Sequence, residues 1–236
     1  ALQSMAASLA AVSNGIGVYH IYGDETTWGE GYNMQQAPKS QQGIFGRMTA
    51  DLSQSYVLHT PEALRDALRR GAQCVFHPAK AAPFFLMLPI NTQPQKVTVN
   101  LAALPEKPSS AIVGSCQLER LRDAADLIAG ASKIVIKAGG GTRGHDAAIR
   151  RLAEASGAVV ALSPGSLGVL AENDPRNMHV GGSKGSISGN YAMTEADLLI
   201  VIGSRAVCQA DCSGIGYKNA KHVININYDL TDAQHY

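Results

Sequence analysis

Residues Gly139-Gly140-Gly141-Thr142-Arg143-Gly144 have the spacing G-x-G-x-x-G and fall between an apolar strand-like run and a helical pattern. In that setting the backbone amides of a strand-to-helix turn can hold a diphosphate. A dinucleotide site that grips a ribose 2'-hydroxyl also wants an acidic residue at the end of the next strand. The next apolar run ends Ala161-Leu162-Ser163, so the acid is missing. That argues against NAD and leaves a flavin or other nucleotide, or a purely structural turn. Gly139, Gly140 and Gly141 are the candidate cofactor-binding backbone. Arg205 joins them, because Gly203-Ser204-Arg205 also follows an apolar run. An Arg there emerges at the carboxyl edge of an open sheet, where its planar fork can meet a phosphate. The competing reading is a solvated or domain-interface Arg.

Other chemistries find less support. The seven histidines lack H-x-x-x-H and H-E-x-x-H spacing, so no zinc site is read. The four cysteines, Cys74, Cys116, Cys208 and Cys212, include no C-x-x-C pair and read as reduced thiols. Ser163-Pro164-Gly165-Ser166-Leu167-Gly168 does not satisfy G-x-S-x-G, and no Asp and His pair with it as a hydrolase triad. Gly23-Asp24 with Asn33 superficially matches a diphosphate-metal motif, but its second Gly is absent and the interval is too short; it is read as a decoy.

The composition sets the frame for these residues. A length of 236 residues suits one large domain or two ordinary ones. With 45% apolar and 17% charged residues the chain can bury a core. Twenty Lys and Arg against nineteen Asp and Glu leave a net charge of +1, which supplies no field for nucleic acid or an anionic membrane. No apolar run approaches the roughly eighteen residues of a membrane span, and the first segment lacks the basic flank of a signal peptide. A soluble, cytoplasmic protein is expected.

The elements follow from periodicity. An Ala-rich opening helix, which starts without Met and looks cut into, leads to a strand at Gly17–Tyr22. Residues 23–54 read as a long polar connection. Thr60 can cap a helix entered at Pro61, with Ala63, Leu64, Ala67 and Leu68 on one face, and Pro83–Ile90 is a buried strand. Pro94, Pro105 and Pro108 mark a linker. Beyond it, a helix over 117–129 precedes a strand at 133–138, a helix through Ile149 and Leu152, and a strand at 158–162. Strands at 197–203 and 222–227 complete the set. Short apolar strands alternating with helices predict an α/β fold with a doubly wound parallel sheet, Rossmann-like, in the second domain. The expected domains are 1–93 and 115–236, joined by a linker over 94–114.

Taken in order, these segments resemble thiamine diphosphate-dependent enzymes of the acetolactate synthase type, and especially trihydroxycyclohexanedione hydrolases. The likeness rests on SYVLHTPEALRDALRRG and APFFLMLPINTQ in the first part. In the second it rests on KIVIKAGGGTRG, PGSLGVLAENDPRNMHVGGSKGS, ADLLIVIGSR and AKHVININYD. It covers nearly the whole chain. By resemblance, 1–93 is the C-terminal part of a pyrimidine-binding domain and 115–236 is the central domain.

The resemblance implies thiamine diphosphate and magnesium as cofactors of the intact enzyme. It also implies a small-molecule carbonyl substrate, a 2-keto acid or cyclic dione, and a homodimer or homotetramer. It places the cofactor-activating glutamate upstream of the opening helix, and the diphosphate-metal motif in a domain beyond Tyr236. The chain is therefore expected to be an inactive central slice that does not bind thiamine diphosphate alone. The family often carries Phe-Gln-Glu in the polar loop; Gln41 and Gln42 stand nearest, without the Phe or the Glu, and are the candidate catalytic residues. Family flavin-binding Arg residues are usually followed by Phe-Asp-Asp, whereas Arg205 is followed by Ala206-Val207-Cys208, which disfavours FAD. Two readings compete with catalysis: a stand-alone nucleotide-binding module, and a scaffold that spaces catalytic domains.

Overall fold

A computed structural model describes residues 2–28, 43–108, 116–205 and 216–234. The chain divides into two units, Ala1–Ile112 and Val113–Tyr236.

In the first unit, helix α1 (Met5–Asn14) leads to strand β1 (Tyr19–Asp24). Helix α2 (Ile44–Ala50), strand β2 (Gln54–Val57), helix α3 (Leu64–Val75) and strand β3 (Phe84–Pro89) follow. The three strands are parallel in the order β1-β3-β2. The central strand is the continuous apolar run, with Phe84, Phe85, Leu86 and Met87 all buried, as expected of a parallel strand covered on both faces. Helix α3 closes one side through Ala67, Cys74 and Val75.

Helix α1 docks differently. Its one buried residue is Ser8. Ser8 Oγ donates to Ser4 O at 2.9 Å and lies 3.2 Å from His20 Nε2, while Tyr22 Oη lies 3.3 Å from His20 Nδ1 and pairs with Ser4 Oγ. Because the Ser8 proton is committed to a carbonyl, Nε2–H of neutral His20 donates to Ser8. Nδ1 then accepts from Tyr22, and Ser4 donates to Tyr22. One tautomer satisfies every donor, and the His20 ring stacks on Phe85 at 4.9 Å between centroids.

The polar stretch 23–54 is not one long connection, since α2 lies in its second half and β2 begins at its last residue, Gln54. Helix α2 is short, and β2 is an edge strand of sequence QSYV that needs no apolar run. Thr60 is extended but makes no side-chain cap bond; a 3₁₀ turn over Pro61–Ala63 starts the helix instead. A second 3₁₀ turn, Leu101–Ala103, is capped by Asn100, and Ala103 O accepts from Arg65 Nε of α3 at 3.0 Å.

The second unit is a doubly wound α/β sandwich. It runs α4 (Leu118–Gly130), β4 (Ile134–Ala138), α5 (Asp146–Ser156), β5 (Val159–Leu162) and β6 (Asn177–Val180). Then come α6 (Ile187–Glu195), β7 (Leu198–Ile202), β8 (His222–Ile226) and α7 (Leu230–Ala233). All five strands are parallel in the order β6-β5-β4-β7-β8.

Alternation along each strand divides the core. Ile134, Ile136, Val160, Leu198 and Ile200 pack with Ile149 and Ala153 of α5 and with Leu127 and Ile128 of α4. Val135, Ala161, Leu199 and Val201 face Ala192 and Met193 of α6. At the opposite edge from the motifs, Asp197 accepts from the amides of Ser132 and Lys133 at 3.0 and 2.9 Å and ties the starts of β4 and β7 together. Among the described residues no helix is long and apolar enough to cross a membrane.

Candidate functional site at the carboxyl edges of the two sheets

Strand order reverses between β4 and β7, because the chain moves outward through β5 and β6 and then returns to the other side of β4. Ligands of open α/β sheets bind at such a switch point, beyond the carboxyl ends. Here those ends carry Gly139 after β4 and Gly203 after β7, which is where the G-x-G-x-x-G turn and Arg205 were expected to work.

The turn is packed against backbone. Gly139 N donates to Ile202 O at 2.8 Å and Gly141 N to Gly203 O at 3.0 Å. A β-carbon on Gly139 would sit 2.2 Å from Gly203 O, and one on Gly141 would sit 2.9 Å from Gly203 Cα. Gly203 itself has φ 57°, in the left-handed region that favours glycine. The amides of Thr142 and Arg143 close back onto the carbonyls of Gly139 and Gly140 as a 3₁₀ turn, and α5 begins only at Asp146. Diphosphate cradles need amides aimed at the ligand. Four of the five residues from Gly139 to Arg143, all but Gly140, spend theirs within the protein, so this turn does not fit a dinucleotide diphosphate.

The neighbouring loop closes the same edge. Ser166 is buried; its Oγ donates to Ala138 O at 2.7 Å and accepts from Ser163 N at 2.9 Å. The Ser163 to Gly168 segment is thus a capping turn that braces the end of β4. Arg205 is exposed. Its neighbour Ser204 is buried, and Ser204 O accepts from Asn227 Nδ2 at 2.7 Å.

Lys137 escaped the sequence reading. It is fully buried on the α6 face of β4, with Nζ 3.2 Å from Leu162 O, 3.3 Å from Gly181 O and 3.8 Å from Met193 Sδ. Its Nζ draws together the connections that leave β5 and β6. A usable signal was present: a lysine inside a strand read as covered on both faces must find buried acceptors.

Gln41 and Gln42 lie outside the described residues, as do Asn33, Cys208 and Cys212. Cys74 is buried and Cys116 exposed, both as free thiols. Among the described residues no group of three or more His, Cys, Asp or Glu is placed to hold a metal ion.

Asp24, set aside on sequence grounds as part of a decoy, sits at the carboxyl end of β1 and is half-buried. Its carboxyl is pushed above the usual range by burial, with the Glu25 amide and the charge of His59 acting in the opposite direction.

Residues 121–235 match the family model described as thiamine pyrophosphate enzyme, central domain. The second unit is a thiamine pyrophosphate enzyme central domain. Its five parallel strands and glycine-closed carboxyl edge are the form that domain takes in this chain. Curated relatives extend the likeness. Acetolactate synthase isozyme 1 large subunit of Escherichia coli (strain K12) is 29% identical over 150 residues, covering 64% of this chain and 25% of the relative. The 3D-(3,5/4)-trihydroxycyclohexane-1,2-dione hydrolase of Lacticaseibacillus casei is 28% identical over 181 residues, covering 72% of this chain and 27% of the relative. A probable acetolactate synthase large subunit of Methanocaldococcus jannaschii is 27% identical over 168 residues, covering 69% and 28%. The chain thus spans about a quarter of the length of these relatives. An alignment over 72% of the chain is longer than the central domain and takes in part of the first unit.

Proposed function

We propose that this chain serves a thiamine diphosphate-dependent enzyme that makes or breaks a carbon–carbon bond next to a carbonyl, in a 2-keto acid or a cyclic dione. The match of residues 121–235 to the central domain carries the reading. The carbanion chemistry belongs to the cofactor, while the protein binds and orients. In this reading 1–93 belongs to the pyrimidine-binding side, 94–114 is the linker, and Gln41 or Gln42 faces the substrate. The intact enzyme takes magnesium with its cofactor, assembles as a homodimer or homotetramer, and works in the cytoplasm.

The central domain is a connector. Support comes from Gly139 and Gly141, whose amides are bonded to Ile202 O and Gly203 O and whose α-carbon faces abut Gly203, so that neither is offered to a diphosphate. The same geometry weighs against a stand-alone nucleotide-binding module and against FAD. Arg205 in this reading is a surface residue.

The test uses the polypeptide that carries this chain, purified and supplied with thiamine diphosphate and magnesium. Turnover of a 2-keto acid or a cyclic 1,2-dione that requires the cofactor is expected, without a flavin absorption band. Bound thiamine diphosphate with no turnover of either substrate class overturns the catalytic reading. A stoichiometric flavin band overturns the connector.

A further inference from the structure

Helix α1 is held to the first sheet by hydrogen bonds rather than by a buried apolar stripe. Its one buried residue is Ser8, and the next residue, Leu9, is 54% exposed. On the sheet the contact is His20, whose ring lies flat on the fully buried Phe85. The contact closes with a neutral ring: Nε2–H donates to Ser8 Oγ, Nδ1 accepts from Tyr22 Oη, and Ser4 Oγ donates to Tyr22 Oη.

A second ring proton upsets this order, because both nitrogens then donate. Nε2–H keeps Ser8, but the new Nδ1–H points at the proton that Tyr22 already aims along the same 3.3 Å line. Tyr22 can accept it only by turning its own proton onto Ser4 Oγ, and Ser4 must then turn its proton off Tyr22. The conflict is thus passed to Ser4, whose carbonyl also receives the Ser8 hydroxyl at the entry of α1.

Few charges stand around the ring. Residues Met5–Asn14 of α1 include no titratable side chain, nor do Phe84–Pro89 of β3. Helix α2 meets the same face at Ser55, in register with Phe85 and His20, and its Arg47 is exposed. On β1 itself, Tyr22 touches the ring, Asp24 lies two residues further along that face, and Tyr19 points to the opposite face, against Phe84. Burial, not a neighbouring charge, lowers the His20 pKa from 6.5.

We propose that α1 is an acid-loosened latch: a proton taken up by the His20 ring shifts α1 from docked to released, while the strands of the first sheet stay paired. Beyond the helix, Gly17 lies against the carbonyl of Val75 and β1 is paired with β3, so the release stops there. A helix of ten residues does not hold itself together in water without its support, so release exposes its amides.

Hydrogen exchange of the 236-residue chain, followed by NMR from above to below pH 6.5 and corrected for the intrinsic pH dependence of exchange, gives the opening constant of each amide. The α1 constants are expected to exceed those of β3 throughout. They are also expected to rise about tenfold per pH unit between 6.5 and the lower pKa of the docked ring, then to level off. His20→Gln, which supplies a donor and an acceptor without a titrating group, removes the rise. Three results overturn the latch: no rise in the wild type, the same rise in His20→Gln, or equal opening constants in α1 and β3, which would make release part of unfolding the whole unit. The ring pKa read by NMR in the wild type is a further check that needs no variant, since a rise that continues below it would belong to another group and overturns the assignment to His20.

Discussion

Gly139 and Gly203 meet backbone to backbone at the carboxyl edge of the central domain, with Gly203 O 2.2 Å from where a Gly139 β-carbon would stand. This contact turns a motif that reads as a phosphate cradle into a joint between β4 and β7. Neither partner can yield without moving its strand end, because Gly139 N is bonded to Ile202 O and Gly203 N to Ile226 O.

Gly139→Ala is therefore expected to destabilise the chain by about 2 kcal/mol or more, the scale of overpacking in a filled interior. Gly144→Ala, five residues along the motif with nothing within 4 Å of its β-carbon position, meets no such wall. Its φ of 79° still strains an alanine, at about 1 kcal/mol. Urea unfolding of the two variants gives the order; equal losses would show that the joint is not what the motif provides.

Lys137 offers a second contrast. Lys137→Met keeps much of the buried volume and removes a polar Nζ from the interior, while Lys137→Ala loses the volume as well. The alanine variant is expected to be less stable than the methionine variant by about 2 kcal/mol or more. Chemical denaturation checks this, and a methionine variant as unstable as the alanine one would assign the whole effect to the polar contacts of Nζ, those to Leu162 O and Gly181 O among them.

The His20 network has a definite pH sign. Burial lowers the His20 pKa from 6.5, so the folded state holds this proton less well than the unfolded chain. The neutral ring's contribution is fully present above pH 6.5 and is lost as the pH falls through that value towards the lower folded pKa. Comparing unfolding midpoints of the wild-type chain and His20→Gln across this range is expected to show a steeper acid decline in the wild type. An NMR titration of the ring that places its pKa above 6.5 would reverse the sign.

Asp197 behaves oppositely in mechanism and alike in direction. The Lys133 amide, then the Ser132 amide, the charge of Lys221 and the Leu198 amide hold its pKa below 3.8, against a smaller opposing effect of desolvation. Its contribution is present above pH 3.8 and disappears as the pH falls through the lower folded value. Asp197→Ala is expected to lower the unfolding midpoint at neutral pH and to flatten the acid limb, as read by urea titrations at several pH values.

What was legible in the sequence follows from burial on both faces. Strands β3, β4 and β7 are continuous apolar runs because helices cover each side of a central parallel strand, and that composition alone marks them. The edge strands β2 and β6, QSYV and NMHV, carry no such run, since an edge strand can stay half-exposed, and both were missed. The connections were harder still. The G-x-G-x-x-G spacing was visible, but spacing does not say whether the amides face a ligand or Gly203. Asp24 was visible too, set aside as part of a decoy, and only the parallel sheet brings its carbonyl to Ile90 N. The sequence by itself determined the class of fold, the two-part organisation and the family resemblance, because these rest on periodicity and ordered local segments. Only the tertiary structure decided what the glycines, Lys137 and Asp24 touch, because each partner comes from a different strand end and is brought there by the strand order.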